Sequence, residues 1–103
     1  MTELEKNALE IIGASGDSRG EAFKALRFAR SGNIDKARES LKISKEKARK
    51  GHEVQTKLIM NESKGEKTEL SLLMIHAQDH LMTSLMAYDL IEEIVEMCAN
   101  KNI

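Results

Sequence analysis

The seven residues Ala29–Asp35, ARSGNID, decide how this chain is read. A glycine beside an asparagine, after a basic residue and before an acidic one, fits a helix stop followed at once by a new start. The cluster Glu62–Glu69, ESKGEKTE, around Gly65, repeats the signal. Proline is absent, aromatic residues make up 3%, and Ala, Leu, Glu, Lys and Met are abundant, a composition that favours helix over sheet. With no proline to end a helix, breaks come from glycine and short polar clusters. Two breaks divide the 103 residues into three helical parts, approximately 3–30, 34–64 and 68–101.

The first part carries Leu4, Ala8, Ile11 and Ile12, then Ala22, Leu26 and Ala29, at helical spacing. GASGDSRG interrupts it, which predicts a bend or short break near residues 13–20. The second part sets Ile34, Ala37, Leu41, Ser44, Ala48, His52, Gln55 and Ile59 on one stripe; its charged remainder, including SKEKARK, reads as a solvated face. The third is apolar in nearly every direction, with Leu70, Leu72, Leu73, Met74 and Ile75 close together, so it needs more than one neighbour. At 1.5 Å per residue such helices are roughly 45 Å long, and short connections make them an all-α antiparallel three-helix bundle, a single domain over 1–103. The surplus apolar surface of the third helix predicts self-association.

Sixteen Lys and Arg against seventeen Asp and Glu leave a net charge of -1, which points to neither nucleic acid nor an anionic membrane as partner. Cys98 is alone and cannot form an internal disulfide, and the Met1 end lacks a secretory pattern, so a cytoplasmic protein is the simplest reading. The longest apolar run, LLMI, is far short of the roughly 20 residues that cross a bilayer. No internal repeat is evident.

Within Leu72–Met82, LLMIHAQDHLM, four polar side chains interrupt the apolar run: His76, Gln78, Asp79 and His80. Residues three and four apart share a helix face, so His76 lies beside Asp79 and His80, and the row continues to Thr83. An imidazole and a carboxylate in apolar surroundings cost several kcal/mol unless partnered. A core hydrogen-bond network would meet that cost, and His52 and Gln55 read mainly as members of one. Zinc is a second reading, since His at i and i+4 is ligand spacing, but Ala77 stands where an HExxH hydrolase needs Glu, and one helix supplies too few ligands unless subunits share the ion. Hydrolysis is a third, but Ser71 and Ser84 are poorly placed and Cys98 is distant. A fourth is phosphate carriage on an imidazole nitrogen, which is nucleophilic at neutral pH and still a good leaving group.

LLMIHAQDHLMTS resembles the active-site helix of the IIA component of the bacterial phosphoenolpyruvate-dependent sugar phosphotransferase system, lactose/cellobiose (N,N'-diacetylchitobiose) family. IIGASGDSR, GNIDKARESL and GHEVQTKLI resemble further family segments in the same order, so the likeness spans nearly the whole chain. It departs at Gly20, where a larger residue is expected after DSR.

The resemblance implies a cytoplasmic three-helix subunit that assembles as a homotrimer. It takes phosphate from the phosphocarrier protein HPr and passes it to a cysteine of the IIB subunit, while the membrane IIC subunit handles the sugar. On this chain it makes His76 the phosphate acceptor and Asp79 the carboxylate shared across the trimer axis around a divalent metal. Clustered carboxylates need a cation there, and a hard, oxygen-loving ion such as Mg2+ suits them. Gln78 and His80 take the lesser role of orienting His76 or contacting phosphate, with donors expected near a transferring phosphoryl group. Met74, Met82 and Met86 read as core and subunit contacts on a surface that meets several partners. Ala77 within HAQDH leans towards a cellobiose or chitobiose substrate over lactose. The competing account is a non-catalytic helical bundle whose polar row is structural or binds metal.

Overall fold

The computed structural model describes residues 1–101. Its first helix, α1 (Glu3–Arg30), opens on a reciprocal cap. The Thr2 hydroxyl accepts from the Glu5 backbone N–H at 3.1 Å, and Glu5 Oε1 accepts from the Thr2 N–H at 3.0 Å. Gly32 ends the helix at φ +82°, a left-handed conformation that glycine adopts without penalty, while the Asn33 N–H reaches back to the Phe28 carbonyl. The Asn33 side chain then caps α2 (Ile34–Ser63) through the Lys36 N–H. Gly65, at φ +94°, closes α2 in the same way.

The helix α3 spans Leu72–Ala99 and starts later than the expected residue 68. Ser71 is extended, and its hydroxyl accepts from the Met74 N–H at 3.1 Å, which makes Ser71 the cap and leaves Thr68–Glu69 in the connection. The helix also stops before Lys101, at an Asn100 cap. The three helices form an antiparallel bundle measuring 50 × 24 × 19 Å. No helix among the described residues is long and apolar enough to cross a membrane.

The short break expected at residues 13–20 is absent, because α1 is helical throughout Glu3–Arg30. Gly13, Gly16 and Gly20 all lie on the solvent side, where an added Cβ would meet nothing within 4 Å. Each glycine costs about 1 kcal/mol relative to Ala. Ser15, Ser18 and Ala22 are buried on the opposite face, and tertiary burial keeps the segment helical through that local penalty.

The core has two apolar halves. Ala8, Ile11, Met74, Ala77 and Leu81 fill one end; Ala22, Ala25, Ala29, Ala37, Leu41, Ile91 and Val95 fill the other. Between them lies a belt of buried serines. Ser44 Oγ donates to the Ser18 carbonyl at 2.7 Å and lies 3.1 Å from Ser18 Oγ, and Ser84 Oγ donates to the Ser15 carbonyl at 3.1 Å. These bonds tie α1 to both partners and satisfy the hydroxyls of Ser18, Ser44 and Ser84, while the buried Ser15 Oγ has no partner among the described residues.

Alanine and serine let the helix backbones approach closely, and Gly51 extends that approach. A Cβ there would stand 3.4 Å from both Ala14 Cβ and Leu81 Cδ1. The packed face of α2 runs through Gly51, Val54 and Leu58, and the predicted stripe through His52 and Ile59 is therefore corrected: both are exposed. At 100° per residue, steps of three and four must alternate, and the choice of 51 over 52 was made by the close contact with α1 and α3. A leucine has no room at this position. Gly51→Leu is expected to lower stability by about 1–3 kcal/mol through overpacking, visible as a lower urea midpoint; an unchanged midpoint would show that the helices do not approach this closely.

Candidate functional site on α3

The face of α3 turned into the bundle carries Met74, Ala77, Leu81, Ser84, Ile91 and Val95. That packing sets the rotation of the helix and sends the polar cluster outward. His76 and Asp79 are exposed, while Gln78 and His80 are half-buried. In one chain, then, the histidine and carboxylate are not sunk in apolar surroundings as the run of neighbouring Leu, Met and Ile suggests. The apolar neighbours themselves are outside: Leu72, Ile75, Met82, Met86, Leu90 and Met97 are between 40% and 83% exposed. At helical spacing they form one stripe with Asp79 in it and His76 along its edge.

His76 and His80 are paired one turn apart. Their Nε2 atoms lie 3.0 Å from each other, with the rings edge to face at 86° and centroids 4.3 Å apart. A hydrogen bond between two imidazole nitrogens needs one to carry the proton and the other to present a lone pair. If His80 donates, His76 offers an unprotonated Nε2 and keeps its proton on Nδ1. Both residues belong to α3, so this bond cannot fix the register of one helix against another, which weakens the reading of the histidines as core network.

The network role falls to the glutamines. Gln55 Nε2 donates to Gln78 Oε1 at 2.6 Å, joining α2 to α3, and also reaches Met82 Sδ at 3.7 Å; Gln78 Nε2 contacts Met74 Sδ at 3.4 Å. Gln78 is thereby held beside the histidine pair but turned towards α2. A cleft of about 150 Å³ adjoins it, lined by Leu58, Ile59, Leu70, Met74 and the two glutamines. His52, expected in this network, instead borders an open groove with Lys45, Arg49, Tyr88 and Asp89. In that groove the Tyr88 hydroxyl donates to Glu92 at 3.0 Å. Burial and the adjacent Glu92 push its pKa up to about 12.

The other readings of the cluster lose their parts. Ser71 Oγ is engaged as a helix cap and Ser84 Oγ is buried on the Ser15 carbonyl, so neither is free as a nucleophile for His76. Cys98 lies at the far end of α3. No group of three His, Cys, Asp or Glu able to hold a metal occurs in one chain among the described residues. Asp79 makes no ion pair among them either, although its backbone carbonyl accepts from Thr83 Oγ1 at 2.8 Å.

Residues 6–99 match the family model of the PTS system, Lactose/Cellobiose specific IIA subunit. Among individual proteins, the lichenan-specific phosphotransferase enzyme IIA component of Bacillus subtilis (strain 168) is 44% identical over 95 residues, covering 92% of this chain and 86% of its own. The crystal structure of the PTS cellobiose-specific enzyme IIA from Bacillus anthracis superposes with a TM-score of 0.94 at 39% identity, covering 99% of this chain and 94% of that one. A chain from the solution structures of the IIA(Chitobiose)–HPr complex of the Escherichia coli N,N'-diacetylchitobiose branch gives a TM-score of 0.83 at 36% identity, covering both chains fully. The fold and nearly the full length agree, and the chain belongs to the lactose/cellobiose-specific IIA family of the phosphotransferase system.

Proposed function

We propose that this chain is a phosphoryl carrier and that His76 Nε2 is its acceptor atom. The observation that carries the reading is the exposed His76–His80 pair, which presents an imidazole lone pair at the surface of a rigid helix. The donor is phospho-HPr, a role supported by the solved complex of a related IIA chain with HPr. The acceptor is the cysteine of a IIB subunit, and the chain serves uptake of a β-linked disaccharide, with cellobiose or chitobiose favoured over lactose. It works on the cytoplasmic side, and the membrane IIC subunit is reached only through IIB.

The His76 Nε2 lone pair attacks phosphorus, a P–N bond forms, and the bond to the donor's nitrogen breaks with its electron pair returning to the donor ring. His80 first holds the Nε2 lone pair of His76 by donating to it, which keeps the proton of His76 on Nδ1. The His80 N–H gives up this contact as the phosphoryl group approaches, which frees the lone pair for attack and lets His80 swing onto a phosphoryl oxygen, where positioned donors stabilise the charge. Gln78, anchored by Gln55, limits the movement of the adjacent α3 surface and is a positioning residue. Passing the group on reverses these steps with a thiolate as nucleophile. The exposure of His76 lets two partners reach it in turn.

The apolar stripe supports assembly of copies through α3, as a homotrimer. Leu72, Asp79 and Met86 recur at sevens with Ile75 and Met82 between them, the spacing of a helix–helix seam. Asp79 then lies inside the seam and His76 just outside it. Three copies of Asp79 would supply the oxygen donors that one chain lacks, and a divalent ion such as Mg2+ would relieve their repulsion.

His76→Gln is expected to fold and accept no phosphate. Intact mass after incubation with phosphoenolpyruvate, Enzyme I and HPr should show an acid-labile phosphoryl gain in the parent chain alone, and a gain on the variant would overturn the assignment. Asp79→Leu should keep the assembly while losing bound metal, because apolar packing replaces clustered charge. Sedimentation of that variant as monomers would place Asp79 outside the seam.

A further inference from the structure

The exposed stripe of α3 carries a second carboxylate, Glu93. Leu72, Asp79, Met86 and Glu93 follow one another at intervals of seven, and Leu90 and Met97 extend the stripe to the end of the helix, shifted slightly as a straight helix drifts from a seven-residue repeat. Glu93 is exposed and lies roughly 21 Å along the axis from Asp79. The opposite side of the same turns holds Ile91 and Val95 buried against α1 and α2. A protein docking on His76 would have no use for Leu90 and Met97, about 21 and 32 Å further along the helix. A second copy of α3, aligned in parallel, would cover them.

We propose that, in the assembly through α3 described above, Glu93 forms a second ring of carboxylates between subunits, so that the assembly tightens as the pH falls. This rests on the assembly described above and adds to it a position that the Asp79 ring does not require.

The charged surroundings of Glu93 offer no remedy for such a ring. On its own helix stand Asp89, Glu92 and Glu96, and α3 has no Lys or Arg from Leu72 to Ala99. Glu92 accepts from Tyr88, and Arg38 of α2 is taken by Glu96 at 3.2 Å. Lys45 and Arg49 of α2 border the groove beside Asp89, Arg30 of α1 and Lys101 border the one beside Ile94 and Cys98, and no ion pair reaches Glu93 among the described residues. Separate chains keep this carboxylate in water. Together they set like charges side by side and exclude solvent, so assembly takes up protons; association is strong at low pH and weakens as the pH rises. A metal ion held by Asp79 has the opposite sign, because acid displaces it; chelator removes that effect but leaves a bare Asp79 ring that also takes up protons, so the Glu93 ring is read from the difference between the parent and Glu93→Gln.

The test is sedimentation equilibrium of the parent chain, Glu93→Gln and Glu92→Gln, in chelator, from about pH 5.5 to 8. Glu92 is the neighbouring carboxylate off the stripe, and circular dichroism verifies that all three chains are folded. The parent should dissociate progressively as the pH rises. Glu93→Gln should associate roughly tenfold or more tightly at the upper end, with a flattened pH dependence, while Glu92→Gln follows the parent. An assembly that forms but is unmoved by Glu93→Gln overturns the ring alone. An equal effect of Glu92→Gln also overturns it, since net charge would then suffice. Monomers under every condition, with added magnesium as well as with chelator, overturn the assembly itself.

Discussion

Burial of Met74, Ala77, Leu81, Ser84, Ile91 and Val95 against α1 and α2 fixes the rotation of α3 about its axis, and every other side chain on that helix takes its direction from this. Because the helix is apolar on the opposite side too, the same packing leaves Leu72, Ile75, Met82, Met86, Leu90 and Met97 in solvent. His76 falls between the two faces, neither buried in the bundle nor centred on the outer stripe. A rotation of one residue would bury the histidine or centre it on the outer apolar stripe.

The inner face holds this rotation with few large side chains. Much of the core is alanine, and the serine belt at mid-bundle replaces bulk with hydrogen bonds between helices. Small residues bring the backbones close enough for Gly51 to matter, and that closeness resists sliding or turning of one helix on another. It also limits how much apolar area one chain removes from water. A thin core beside a long apolar exterior leaves much apolar area in water, which is the energetic basis of the proposed assembly.

Phosphate carriage asks little of the protein beyond a presented nucleophile and nearby donors, which is what the surface of a rigid helix provides. In the function proposed above, the histidine pair at 3.0 Å supplies both from a single turn. The Gln55–Gln78 bond sets the neighbouring surface and separates Gln78, an anchor to α2, from the histidine pair and Asp79, which face outward.

The sequence by itself determined the number of helices, their order and the residues of the polar cluster. Those features rest on local chemistry: left-handed glycines at 32 and 65, caps at Asn33 and Ser71, and spacings that alternate three and four. Helix length was less secure, because the glycines at 13, 16 and 20 read as a break until burial of Ser15 and Ser18 on the other side is known. Facing was decided only by tertiary structure. His52 and Gly51 differ by one step of the helix, and nothing local chooses between them; contact with Ala14 and Leu81 does. Likewise the apolar run around His76 predicts a buried cluster, whereas packing on one face of α3 turns it outward. Local sequence fixes which backbone conformations are cheap, but the direction of a side chain depends on which of two apolar faces finds a partner, and that is a property of the assembled chain.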